Sequence, residues 1–438
     1  GAFVPGTGDP ANGMVPASDT SYPRGFRDQE PVLLEPRVGF AYDLTGDNKT
    51  ALHASAGVFH QAILGGGSQG NLQGPPNFVQ STLYYSSLST FLNNPAALTD
   101  RPADVNGLER HAHTPVAYRF TAGVQRDIGW GTVVDVSYVG ALNRYLEMQT
   151  NINAVPDGAR FLPQNIDPRN GKPLPDDFLR PFRGFSDINI RGNWGTGTYN
   201  SLQIQANRRY IHGLQFGAAY TLARGYGLGD SDPTTVSIYR PLLPWYWSPN
   251  SNNQNQTLVI NYTYDLPVRQ FGNGLARVAV DGWQLSGENA WISGDWNNID
   301  ISTTDSFDFA GGTEEVRPVM TGNPQLSRGA RTADHWFNTS VFHRPSGAGD
   351  IGNEPRNVIQ LPGINNWNLA LFKNFRVAAN RTFQFRVEAY NVLNTLQYSD
   401  IDRGAKFDED GNQVNANFGK ANKARNPRIM QLSLRFTF

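Results

Sequence analysis

The last ten residues of the chain alternate between apolar and polar side chains. Even positions from Met430 to Phe438 are apolar, and odd positions from Gln431 to Thr437 are polar. Because side chains of a β-strand point alternately to its two faces, this segment predicts a strand with one apolar and one polar face. A half-buried strand of a soluble sandwich shares the pattern. An aromatic residue at the carboxyl terminus, however, is typical of an outer-membrane barrel, whose outer face meets lipid.

The composition fits alternating strands joined by polar loops. Charged residues make up 17% of the chain, below the roughly 25% of soluble domains, whereas glycine (45 residues) and aromatic residues (12%) are plentiful. No run of about 20 apolar residues predicts a transmembrane helix, which leaves a closed barrel as the way to span a bilayer. Residues 1–10 do not resemble a signal peptide, so we expect the chain to derive from a longer precursor.

Several kinds of chemistry are not expected. The sequence has no cysteine and a net charge of -1, which predicts neither disulfides nor a nucleic-acid surface. His111 and His113 could face one side of a strand, but spacing supplies no third metal ligand. The acidic run from Asp408 to Asn412 lacks the twelfth-position glutamate of a calcium loop, and no nucleophile motif is present. We expect no metal, no cofactor and no enzymatic activity.

Alternating segments recur along the chain. Predicted strands are residues 37–44, 50–60, 118–125, 134–138, 199–209, 214–222, 258–264, 283–292, 366–375, 383–393 and 429–438. Short turns alternate with connections of about 25 to 70 residues, as in barrels whose turns face the periplasm and whose long loops face outside. We also expect turns at residues 212–213 and 272–274, an irregular Pro-rich connection at about residues 144–197, a strand extension at residues 78–86 and a short hairpin at residues 298–302.

About eleven strands are thus predicted, an odd number, whereas bacterial single-chain barrels have an even number of strands. Eleven is half of the 22 strands of the large transporter class. The predicted fold is therefore all-β, an antiparallel transmembrane β-barrel, with residues 1–438 forming the C-terminal half of a roughly 22-strand barrel. The alternative is a complete barrel of about 12 strands in which one strand was missed.

Several motifs along the chain carry a family resemblance. Phe385-Arg-Val-Glu-Ala-Tyr-Asn-Val-Leu-Asn394 resembles the penultimate barrel strand of TonB-dependent outer-membrane receptors. Residues 362–375, Trp336-Phe-Asn338 and the ending from Asn426 to Phe438 resemble, more narrowly, the Oar-like branch, and residues 36–59 are similar to a mid-barrel hairpin of that group. The order of these motifs carries the resemblance.

The resemblance implies a barrel with an N-terminal plug, energised by TonB, that moves scarce or bulky solutes across the outer membrane of a Gram-negative bacterium. The expected partners are outer-membrane lipid, the N-terminal half of the barrel with its plug, and the TonB complex; plug and TonB box are not seen in this sequence. The substrate is not predicted. Alternatives are a passive channel, a surface adhesin, or a secreted β protein, which would place polar residues on the outward faces.

Two groups of residues are candidates for ligand or plug contact. By strand parity Glu288, Arg386, Glu388 and Arg435 point inward, toward a plug or solute path, or pair across neighbouring strands. Trp245, Tyr246 and Trp247 belong to an outside loop. There their rings could stack on a sugar or peptide, pack among themselves, or form part of an interfacial girdle.

Overall fold

The computed structural model describes residues 2–3, 14–15, 20–21, 23, 27–28, 30, 32–61, 89, 103–229, 234–267, 278–378 and 381–438. The fold is built on one large, mainly antiparallel sheet. Eleven of its strands follow one another in a single path, each beside the next in sequence. They are β1 (Arg37–Asp43), β2 (Thr50–His60), β3 (Val116–Gly129), β4 (Thr132–Asn151), β5 (Phe185–Ile211), β6 (Leu214–Gly227), β7 (Gln256–Asp265), β8 (Trp283–Ile292), β9 (Ile364–Ala378), β10 (Arg381–Tyr390) and β11 (Ile429–Thr437).

The eleven predicted strands and their up-and-down order are confirmed. Within the described ranges β1 and β11 form the two edges of the sheet and do not pair with each other. The predicted turn at His212 and Gly213 has a positive φ at both residues, 53° and 78°, as a two-residue hairpin turn of the primed type requires. The predicted extension at residues 78–86 and the turn predicted at residues 272–274 lie outside the described residues.

The sheet has one apolar and one polar face along its whole width. Register places Leu434 beside Phe385, and Tyr138 beside Leu202, on the apolar face. Apolar side chains on this face are exposed, for example Leu434 at 69% and Val38 at 71%. A face of exposed apolar side chains that continues across the sheet is unfavourable in water and marks contact with a membrane or partner. The structure therefore has the apolar face that the sequence predicts to point outward, toward lipid.

Two central strands are much longer than predicted. β4 has 20 residues and β5 has 27, whereas about 9–11 residues cross a bilayer. The prediction that residues 144–197 form an irregular connection was wrong, because both ends of that segment belong to strands. Beyond the membrane neither face of a strand meets lipid, so its side chains need not alternate between apolar and polar. The glycines at 192, 195 and 197 therefore predict a loop, although they lie in a strand.

Short elements fill the long connections. The short strands are Ala2–Phe3, Met14–Val15, Ala103–Leu108, Thr234–Thr235, Ser248–Pro249, Trp296–Asn297, Asp300–Thr303, Val319–Met320, Phe342–His343, Ile359–Gln360, Tyr398–Ile401, Gly404–Phe407 and Ala421–Ala424. The helical turns are Ala159–Phe161, Pro163–Asn165, Asp176–Leu179, Leu242–Tyr246, Arg328–Ala330 and Thr339–Val341. The predicted hairpin at residues 298–302 was wrong, because Asp300–Thr303 pairs in parallel with Gly404–Phe407, about 100 residues away. No described helix is long and apolar enough to cross a membrane.

The hydrophobic cores lie in the long connections and the adjoining ends of β4 and β5, all at the end of the sheet opposite the short turns. Phe337, Phe342 and Phe418 make mutual edge-to-face contacts with ring centroids 5.3 to 6.1 Å apart. They pack in one core with Ile359 and Phe407, which are almost fully buried. Because these residues come from the β8–β9 and β10–β11 connections, the two loops fold as one unit, the loop cap.

Candidate functional site

The polar face of the sheet carries the four predicted inward charges. On β10, Arg386 and Glu388 form an ion pair with Nη2 and Oε1 2.6 Å apart. Register places Arg386 opposite Ser433 and Glu388 opposite Gln431. Arg435 shares this face, opposite Gln384, and makes no ion pair with any described residue. Register thus places Arg386, Glu388 and Arg435 on one face, where Arg386 and Glu388 meet and Arg435 stands apart. Their contact with a ligand or a plug stays a prediction.

A polar depression of about 380 Å³ lies on this face and is lined by both Glu288 and Glu388. Its floor is formed by small side chains, since Ser286 on β8 pairs with Ala370 on β9, and Ala370 pairs with Glu388. Asn368, opposite Glu288, adds an amide. Two carboxylates and an amide around a hollow can accept hydrogen bonds from a polar solute or from a protein segment in the lumen.

A second polar cluster on this face was not predicted. His53 Nε2 lies 2.8 Å from Asp135 Oδ2, and the Ser137 hydroxyl donates to the other oxygen of Asp135. Gly123 provides the space, because a Cβ there would lie 2.7 Å from His53 Cε1. The carboxylate, and not the imidazole, contacts the hydroxyl, so the arrangement differs from a nucleophile triad. The sequence signal that could have predicted this cluster is that His53, Asp135 and Ser137 all occupy polar-face positions of their predicted strands.

The aromatic run in the β6–β7 connection is mostly buried. Trp245 and Tyr246 are 5% and 3% exposed, on the turn Leu242–Tyr246. Trp245 Nε1 donates to Glu315 Oε1 at 2.9 Å, and the Tyr246 hydroxyl accepts from the Ser237 backbone N–H at 2.8 Å. Trp247 is half-buried and stacks on Tyr226 with centroids 6.5 Å apart. The packing alternative accounts for Trp245 and Tyr246, and Trp247 retains an accessible part.

Arg317 fixes these aromatic residues to the neighbouring loop. Its Nη1 donates to the carbonyls of Trp245 at 2.8 Å and Glu354 at 3.1 Å, and its Nη2 lies 2.6 Å from Glu315 Oε1. The guanidinium carbon lies 4.4 Å from the Trp245 ring centroid. Burial raises the pKa of Tyr246 to about 12, so its hydroxyl stays neutral. The cluster is built for packing the loops together.

Glu354 is a buried acid in the same network. It is fully buried, and its Oε1 accepts from the Ile299 N–H at 3.1 Å while Oε2 has no partner. Burial raises its pKa from 4.5 to about 8, more than the positive charge of Arg317 lowers it. The carboxyl group is therefore protonated at neutral pH.

This protonation makes the loop cap sensitive to pH. A folded-state pKa above the unfolded value means that folding binds a proton between pH 4.5 and about 8, so stability falls as the pH rises through that window. We expect a slope of up to about 1.4 kcal/mol per pH unit. Glu354→Gln keeps the acceptor for Ile299 and should flatten this slope. Amide hydrogen exchange of the loops, corrected for its intrinsic pH dependence, measures it; an unchanged slope in the variant would contradict the assignment.

Comparison with known proteins agrees with this geometry. Residues 1–431 match the family model of the outer membrane beta barrel domain. No curated protein sequence matches the chain. Solved structures of similar fold include the outer membrane transporter YddB from Escherichia coli, at 10% identity and a TM-score of 0.48. The ferric-catecholate import receptor Fiu from E. coli is 10% identical to the chain, with a TM-score of 0.39. The siderophore receptor PiuA from Acinetobacter baumannii is 8% identical, with a TM-score of 0.42.

The chain spans only part of these structures. The alignments cover 92% of this chain but 40%, 34% and 35% of YddB, Fiu and PiuA. The outward apolar face, the polar inner face and the family match confirm the expected outer-membrane barrel architecture. The chain is a protein of the bacterial outer membrane and belongs to the outer membrane beta barrel domain family.

Proposed function

We propose that this chain forms the C-terminal half of the barrel wall of a TonB-dependent receptor that moves a bulky or scarce solute across the outer membrane. The observation that carries the proposal is the polar face that continues across all eleven strands. Such a face requires a wet lumen or a polar protein segment against it. The motifs at residues 362–375 and 385–394 favour a receptor with a plug, and we propose transport and no enzymatic reaction.

The proposed partners follow from the edges of the sheet. β1 and β11 have no strand on their outer sides in the described part of the chain. Unpaired backbone groups in hydrocarbon cost several kcal/mol each, so we propose that a further set of strands, with a plug, pairs with both edges. TonB would act on that plug. The ion pair of Arg386 and Glu388 and the depression beside Glu288 then face the plug or the solute.

TonB dependence tests the proposal. The intact protein, expressed as the sole member of its class in a host lacking its own receptors, should deplete at least one solute from a mixed medium only when TonB is functional. Depletion that continues without TonB, together with steady conductance in planar bilayers, would favour a passive channel. Cell-surface binding without any depletion would favour an adhesin.

The carboxylates of the depression provide a sharper prediction. Glu288→Gln combined with Glu388→Gln removes both negative charges while keeping side-chain volume, and we expect TonB-dependent uptake to fall severalfold, because charge-assisted hydrogen bonds are about twice as strong as neutral ones. Uptake is measured at equal amounts of folded protein. Gln205→Ala, on the same face at β5 and outside the depression, should leave it unchanged. If the double glutamate variant and Gln205→Ala show equal uptake, the two carboxylates do not contact the solute on its path.

A further inference from the structure

A pocket of about 520 Å³ lies on the lipid-facing side of the sheet, at its extracellular end. One of its walls is Trp291 of β8, whose side chain shares the apolar face with Trp283. The two tryptophans are eight residues apart, about 20 Å along the membrane normal for a tilted strand. They therefore mark the two ends of the apolar band, and the pocket lies where the outer leaflet meets water.

Two arginines of the β8–β9 connection lie over tryptophan rings that line the pocket. Arg328 lies with its guanidinium carbon 4.8 Å from the Trp291 ring centroid, and Arg331 lies 5.9 Å from that of Trp336. Arg328 makes no hydrogen bond or ion pair with the residues that the structure describes. Among the described residues, Arg331 donates only to Leu326 O at 3.2 Å and Gln325 Oε1 at 3.1 Å.

No ion pair with a residue in the described ranges compensates the charge of Arg328 and Arg331. Burial, together with the positive charge of Arg328, lowers the pKa of Arg331, and no carboxylate counteracts the shift. The guanidinium group of Arg331 nevertheless stays protonated at physiological pH. Two neighbouring guanidinium groups that have N–H donors to spare and no acidic partner in the described part of the chain are suited to a phosphate, which they can bind through paired hydrogen bonds.

Part of the surroundings of the pair is apolar and exposed. Leu396 lines the pocket and is 68% exposed. Trp367, on the apolar face of β9, is 42% exposed, and its indole N–H donates to the pocket residue Asn365 at 3.0 Å. A ligand with an anionic head and an attached hydrocarbon chain would satisfy both parts of this surface, whereas a soluble anion would satisfy only the first.

We propose that this pocket binds the phosphorylated sugar headgroup of a glycolipid of the outer leaflet. Arg328 and Arg331 bind the phosphate, Trp291 packs against the sugar, and Leu396 and Trp367 contact the acyl chains. The pocket opens on the face opposite Glu288 and Glu388, so it is separate from the proposed solute path. The proposal requires only that the chain lies in the outer membrane and does not depend on the transport function.

The first test counts bound lipid. The intact protein is purified from outer membranes in mild detergent, and native mass spectrometry measures the phosphorylated glycolipid that stays bound. We expect Arg328→Gln with Arg331→Gln to reduce this amount at least tenfold. Lys172→Gln with Arg183→Gln removes the same charge from the exposed β4–β5 connection and should retain the lipid. Equal retention by both double variants would overturn the proposal.

The second test uses delipidated wild-type protein and does not require a variant to fold. Phosphorylated lipid A is expected to raise the thermal unfolding temperature and to change tryptophan fluorescence, whereas dephosphorylated lipid A is expected to do so at concentrations at least tenfold higher. A matching response to inorganic phosphate alone would overturn the glycolipid assignment and indicate a free phosphate site. Equal responses to the two lipids would overturn the role of the arginines.

Discussion

Leu434→Arg is expected to destabilise the barrel by about 2–4 kcal/mol and to reduce its assembly in the outer membrane. Leu434 lies near the middle of β11, points to the apolar face and is 69% exposed there. Its cross-strand neighbour is Phe385. A guanidinium group at this depth would lie in hydrocarbon without a partner. The unfolding free energy in detergent or lipid, and the fraction of protein that migrates as folded barrel, measure the effect.

Gln431→Arg is the matched control. It introduces the same side chain into the same strand, but Gln431 lies on the polar face opposite Glu388. A new arginine there stays in a polar environment beside a carboxylate, so we expect a much smaller loss of stability. Comparable assembly defects in the two variants would refute the assignment of the two faces.

The sequence was most informative where lipid and lumen impose alternation. The predicted strand at residues 283–292 matches β8 at both ends, and the last strand is present as Ile429–Thr437. One face of each strand must be apolar and the other is free to be polar, so the period of two is visible without any knowledge of the partners. The inward direction of Glu288, Arg386, Glu388 and Arg435 followed from the same rule.

The packing of the long connections was not predictable in the same way, because the contacts between them are not local. Trp245 is buried by Arg317 and Glu315, about 70 residues further along the chain, and Asp300–Thr303 pairs with a strand about 100 residues away. Neither contact has a periodic signature. The aromatic run at residues 245–247 was therefore predicted to be accessible. A short apolar turn in a loop is buried, however, once other loops cover it.

Arg317→Ala is expected to have the largest effect on the loop cap. Arg317 is 6% exposed and holds the carbonyls of Trp245 and Glu354, so its removal leaves two buried acceptors without this donor and opens a cavity beside the indole ring. Leaving a buried carbonyl acceptor unpaired costs about 1–3 kcal/mol, whereas the carboxylate of Glu315 is half exposed and is solvated when Arg317 is removed. Because none of these contacts lies in the membrane-spanning part, the barrel itself should still assemble. The variant should therefore migrate as a folded barrel while its loops become sensitive to protease and Trp245 fluorescence shifts toward that of water.

Two further variants separate the network from the charge. Arg425→Ala removes an exposed arginine of the β10–β11 connection and should change loop stability by less than about 0.5 kcal/mol. Arg317→Lys keeps the charge but cannot donate in a planar fork to two carbonyls and a carboxylate at once, so it should fall between wild type and Arg317→Ala. Protease cleavage of Arg317→Ala at the same rate as Arg425→Ala would show that the loops are held by their hydrophobic cores alone. A lysine variant as stable as wild type would mean that the positive charge beside Trp245 matters and the hydrogen-bonding geometry does not.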